Sequence, residues 1–207
     1  LLAAPDPSRA LLWMRQTGVL TVVLPESERW GIDTIHPLME TERGRSWPAD
    51  PLLRLMAIVP PDPERLSELA RRLKLANHER DRLVAFAEAP SPDPDESERA
   101  LKSRLYFGER QAIEDRLRLA LVGAQGKIAQ DTAALETVAK FAARLASVEA
   151  FEAPAFPLIG GDLKAKGFAA GPELGQELDR LKRIWVDSGF KLARAELLAE
   201  AGAASEG

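Results

Sequence analysis

Apolar side chains recur at intervals of three and four residues along most of the chain, the spacing that gathers them on one face of an α-helix. A period of two is confined to Val19-Leu20-Thr21-Val22-Val23-Leu24, which Gly18 and Pro25 bracket. The pattern predicts an all-α fold, an elongated array of helices. Asp6-Pro7-Ser8 starts a helix that Gly18 stops. Pro51 and Pro63, each behind an aspartate able to cap free N–H groups, open helices near 51–59 and 64–74. Before these, 31–48 reads as a loop. Three alternating prolines in 89–97 hold the backbone extended and divide the chain. Helices follow over 97–107, 109–122 and 127–148, the last being the longest, with Ile128, Leu135, Val138, Ala142 and Leu145 on one face. A second break, Phe151 to Pro157, leads into a tail with helices near 172–188 and 193–202. The expected organisation is a first helical part over 1–90, a second over 97–150 and a tail over 156–207.

Composition narrows the chemistry. The 207 residues are 45% hydrophobic, enough for one substantial core or two smaller ones. A net charge of −4 means that any nucleic-acid contact must use a local basic face. The absence of cysteine excludes disulfides, thiolate metal sites and a cysteine nucleophile. Two histidines, His36 and His78, are too few for a histidine metal cluster. No apolar run approaches the roughly 18 residues of a membrane span, so the expectation is a soluble, cytoplasmic protein. Leu1-Leu2-Ala3-Ala4 lacks an initiator methionine and reads like the end of a helix, so a preceding segment is expected.

The tail has the densest punctuation. Asp162 is placed to cap a one-turn helix that Gly167 ends, and Gly171-Pro172 to start the next helix with its first N–H groups free for a phosphate. Gly175, in that first turn, admits either a nucleic-acid backbone or a neighbouring helix. Leu174, Leu178, Leu181 and Trp185 form the buried stripe, and Lys182 and Arg183 lie off it, near Lys164, Lys166 and Lys191 in sequence. These glycines and cations are the candidate nucleic-acid contacts. A capped helix pair with solvated charges would look the same in sequence.

Leu158-Ile159-Gly160-Gly161-Asp162-Leu163, Gly171-Pro172-Glu173-Leu174-Gly175 and the closing Glu196-Leu197-Leu198 resemble the C-terminal signature of bacterial tRNA nucleotidyltransferases, the CCA-adding and poly(A) polymerase family. The start is similar too: residues 1–11, then Gly18-Val19-Leu20 and Leu24-Pro25-Glu26, resemble that family's passage out of its neck. Phe190 to Arg194 and Leu69 to Leu83 look like its alphaproteobacterial branch. The resemblance implies the helical body and tail of an enzyme that transfers CMP and AMP, or AMP alone, to an RNA 3′ end. Its partners would be the acceptor and T arms of tRNA, or another RNA, and its own N-terminal catalytic head. Mg²⁺ and the nucleoside triphosphate, CTP or ATP, would belong to that head, leaving this part with no cofactor and no catalytic residue.

Other signals are read structurally. Asp93-Pro94-Asp95 has the spacing of metal-binding carboxylates, but prolines exclude the central strand such a site needs. Glu114-Asp115-Arg116-Leu117-Arg118 matches the family's nucleotide-selecting motif in form and not in position, and is expected to be a solvated helix face. Residues 69–80 imitate a helix-turn-helix, with Asn77 as the cap of the second helix. A DNA-binding helix-turn-helix or helix-hairpin-helix module would need Arg71, Arg72, Arg80 and Arg82, or the Gly171–Gly175 helix end, in an exposed basic groove. A helical protein-interaction domain would instead show an exposed apolar face. Trp13 and Trp185 are expected in the core, and Trp30 and Trp47 are the tryptophans to check for exposure.

Overall fold

The computed structural model describes residues 1–28 and 32–202, so Trp30 lies outside the described residues. These form twelve α-helices and no strand. In chain order they are α1 Ser8–Gln16, α2 Val19–Val23, α3 Ile35–Gly44, α4 Pro51–Ala57, α5 Pro63–Arg72 and α6 Asn77–Glu88, then α7 Glu98–Phe107, α8 Arg110–Gln125, α9 Ala133–Ala150, α10 Gly160–Ala165, α11 Pro172–Asp187 and α12 Arg194–Glu200. They fall into two compact units. The first comprises Leu1–Asp95 with Glu109–Glu149, and the second Glu96–Gly108 with the chain from Ala150 onward. Among the described residues no helix is long and apolar enough to cross a membrane.

In the first unit the aspartate–proline starts behave as the sequence implies. Asp50 accepts hydrogen bonds from the N–H groups of Leu52 and Leu53 at 3.0 and 3.2 Å, and Asp62 from that of Arg65 at 3.0 Å. Gly18, at φ +76°, ends α1 and starts α2. The period-2 stretch is therefore helical: Leu20 and Leu24, four residues apart, are buried, while Val22 and Val23 face out. The supposed loop 31–48 contains α3, whose Ile35, Leu38, Met39 and Glu42 share the buried face. The cap of α6 is Ala76 rather than Asn77, and the Ala76 N–H donates to the Glu79 carboxylate at 2.8 Å. The longest helix, α9, starts at Ala133, after turns through Lys127 to Asp131. Its buried residues are Ala134, Phe141, Leu145 and Val148, and Leu135, expected inside, is 56% exposed.

Two arginines tie the first unit together. The buried Arg54 guanidinium meets Glu42 at 2.6 Å, and its other arm donates to the carbonyls of Leu2 and Ala4, at 2.6 Å each. Arg82, partly buried, reaches Asp115 at 2.8 Å and the free oxygen of Asp50 at 2.5 Å, linking α6, α8 and the start of α4. Asp115 is fully buried and Arg116 donates to the Ala87 carbonyl. The run 114–118 is therefore an internal brace, not the solvated face its charge suggests.

Candidate nucleic-acid interface

The second unit holds the candidate contacts. The core of α10, α11 and α12 is built from Leu158, Leu163, Leu181, Trp185, Val186 and Leu197. Asp162, at the third position of α10, accepts from the Ile159 N–H at 2.9 Å and pairs with Arg194. Gly167, at φ +99°, closes that helix: its N–H donates to Lys164 and that of Phe168 to Leu163. This paired-bond ending needs a left-handed residue, which glycine supplies without strain. Gly189, at φ +74°, closes α11 in the same manner, with the Phe190 N–H bonded to the Trp185 carbonyl at 3.0 Å.

Pro172 opens α11 and no side chain caps it, which leaves its first N–H groups free of side-chain partners. A side chain at Gly171 or Gly175 would meet nothing within 4 Å among the described residues. Among the described residues no helix approaches Gly175, so a close helix approach is not the reason for that glycine. The close approach is at Gly160, where an added Cβ would lie 3.4 Å from Leu174 Cδ2.

The predicted cations separate by position. Lys182 and Arg183 share one cleft on α11. Lys182 is half-buried, 5.7 Å from the Phe156 ring centre and 3.9 Å from Asp179, whereas Arg183 is exposed with no ion pair among the described residues. Lys164 is exposed on α10, and Lys191 in the link from α11 to α12. Lys166 donates to the Leu198 carbonyl, tethering α12. Gly171 lies eleven residues before Lys182, about 16 Å along the helix axis, so the two mark well-separated parts of α11.

The cleft itself has no counterpart among the sequence expectations. It measures about 540 Å³ and is lined by Tyr106 and Phe107 from α7, Ala153 and Pro154, and Asp179, Lys182 and Arg183. Phe107 is 52% exposed and meets the Tyr106 ring edge-on at 5.2 Å. Tyr106 in turn contacts Trp185 at 5.7 Å and Phe190 at 5.5 Å. An aromatic at the last residue of α7 carries no periodic signal, so nothing in the sequence pattern marks it.

Each of the four arginines of the helix-turn-helix alternative has a carboxylate within ion-pair distance. Arg71 pairs with Glu68, Arg72 with Glu26, Arg80 with Asp81, and Arg82 with Asp50 and Asp115. Five large apolar side chains on α1 and α2 are exposed: Leu12, Trp13, Val19, Val22 and Val23. Trp13, expected in the core, is 61% exposed, while Trp185 is buried as expected and Trp47 packs partly buried under Arg118.

Among the described residues no group of three or more His, Asp or Glu could hold a metal ion. His36 pairs with Glu40 on an exposed face, His78 is exposed, and Asp95 pairs with Lys140 in the first unit.

No family model matches the chain. It is similar to the mitochondrial CCA tRNA nucleotidyltransferase 1 of Mus musculus, with 33% identity over 54 residues. The match covers 26% of this chain and 12% of that protein.

Proposed function

We propose that this chain is the RNA-gripping helical part of a tRNA nucleotidyltransferase or poly(A) polymerase, whose tail holds the acceptor and T arms of tRNA through phosphate and shape contacts. The observation that carries this reading is the 54-residue similarity to a CCA tRNA nucleotidyltransferase. The tail signature and the all-helical architecture agree with it. Phosphates would meet Lys164, Lys182, Arg183 and Lys191, with the glycine-bordered start of α11 open to a backbone. Catalysis, Mg²⁺ and CTP or ATP would belong to a separate catalytic head.

The test is fluorescence anisotropy with labelled mature tRNA, tRNA lacking its terminal CCA and duplex DNA of similar length across a salt series. Tighter binding of either tRNA than of DNA supports the reading, and equal or tighter DNA binding sinks it. A second reading, a protein-docking helical domain, is favoured by the exposed apolar side chains of α1 and α2. Its mark would be concentration-dependent self-association or partner capture without RNA binding.

A further inference from the structure

We infer that the cleft between the end of α7 and the middle of α11 holds one unpaired RNA nucleotide, its base stacked on Phe107 and its phosphate on Arg183 and Lys182. The inference rests on the RNA-binding reading above and names a contact that reading lacks. Recognition of unpaired bases combines an exposed aromatic face with a cation placed for the backbone. Both line a single cleft of about 540 Å³, within the range of small-molecule sites.

The ring is held ready. Phe107 sits at the C-terminal end of a ten-residue helix, closed by the Gly108 N–H on the Arg104 carbonyl at 2.8 Å. Tyr106 supports it edge-on, and Tyr106 is itself packed against Trp185 and Phe190. Half of Phe107 is open to solvent on a support fixed by these contacts, so stacking orders little that is not already ordered. Charge selects the occupant. Arg183 offers an unengaged guanidinium and Lys182 an ammonium only loosely held by Asp179 at 3.9 Å, so an apolar peptide seated there would cover cations without pairing them. Phosphate pairs them. Among the described residues lining the cleft, Asp179 is the one that opposes a phosphate.

The full chain and its variants Phe107→Ala, Phe107→Trp and Arg183→Ala would be titrated against labelled tRNA with a single-stranded 3′ end and against blunt duplex RNA. Circular dichroism would check that each variant is folded. Loss of one base–aromatic stack should weaken tRNA binding by roughly 5- to 100-fold in Phe107→Ala, with the salt slope unchanged. Phe107→Trp should restore it, and blunt duplex should bind Phe107→Ala as it binds the parent chain. Arg183→Ala should lower the salt slope by about 0.7, one single-strand phosphate contact. If the parent chain binds tRNA and Phe107→Ala binds it equally well, or loses duplex binding in step, the cleft is not a base site and the RNA reading survives. If the parent chain binds no RNA, both fall together.

Discussion

Asp50 does two jobs with two oxygens, one capping α4 and the other meeting Arg82. Burial pushes its pKa up, but the hydrogen bond from Arg82 and those from the Leu53 and Leu52 N–H groups more than offset this, leaving it below the ordinary 3.8. A carboxylate depressed in the folded state contributes fully above its unfolded value, and the contribution is lost as pH falls through the folded value. Asp50→Asn keeps a capping oxygen and removes the charge. It should cost about 1–2 kcal/mol at neutral pH, moderated because Arg82 retains Asp115. Urea midpoints at pH 7 and near pH 3 check this: the gap between variant and parent should narrow in acid, and a pH-independent gap would mean the ion pair contributes nothing. The cap was legible from Asp-Pro spacing. The Arg82 link was not, because it joins residues 32 and 33 positions apart, and sequence period carries no information about such pairs. Trp13 fails for a local reason: Leu11 is the buried residue of α1, and two residues along a helix turn a side chain toward the far side.

At the scale of elements, the helix starts were legible wherever a proline or glycine forces the backbone, as at Pro51, Pro63 and Pro172. They were poorly legible in α9, where small alanines on every side leave the buried stripe ambiguous and Leu135 misleads. Glycines show the same limit. Gly160 and Gly175 look alike in sequence, yet Gly160 lies under Leu174 while no described residue lies over Gly175. Gly175→Ala should therefore stabilise α11 by about 1 kcal/mol through helix propensity alone. Gly160→Ala should gain less, because Gly160 is the first residue of α10 and its added methyl group would sit at the near limit of contact with Leu174. Thermal or urea unfolding of the two variants decides it, and equal gains would mean that the α10–α11 approach is looser than 3.4 Å. A Gly175→Ala variant that is more stable but binds tRNA more weakly would add that RNA backbone approaches this turn.

For the whole molecule the governing quantity is charge placement rather than total charge. A net −4 repels RNA at long range, so binding must come from a local cluster of cations. The first unit commits Arg54, Arg71, Arg72, Arg80 and Arg82 to carboxylates, and in the second Arg180 and Arg194 are committed to Glu177 and Asp162. That sorting was invisible in sequence, where all cations look alike; within the tail, where Lys166 is tied to the Leu198 carbonyl, it leaves Lys164, Arg183 and Lys191 with no carboxylate among the described residues and Lys182 beside Asp179 at 3.9 Å, and these four are the proposed phosphate contacts. If each meets one phosphate, replacing all four by alanine should flatten the slope of log affinity against log salt by about 3, at roughly 0.7–0.9 per contact. A loss near 3 would mean that these four carry the tail's grip. A slope unchanged by the replacement, with tRNA still bound by a folded chain, would move the interface to another face and leave the similarity to the nucleotidyltransferase without this tail mechanism.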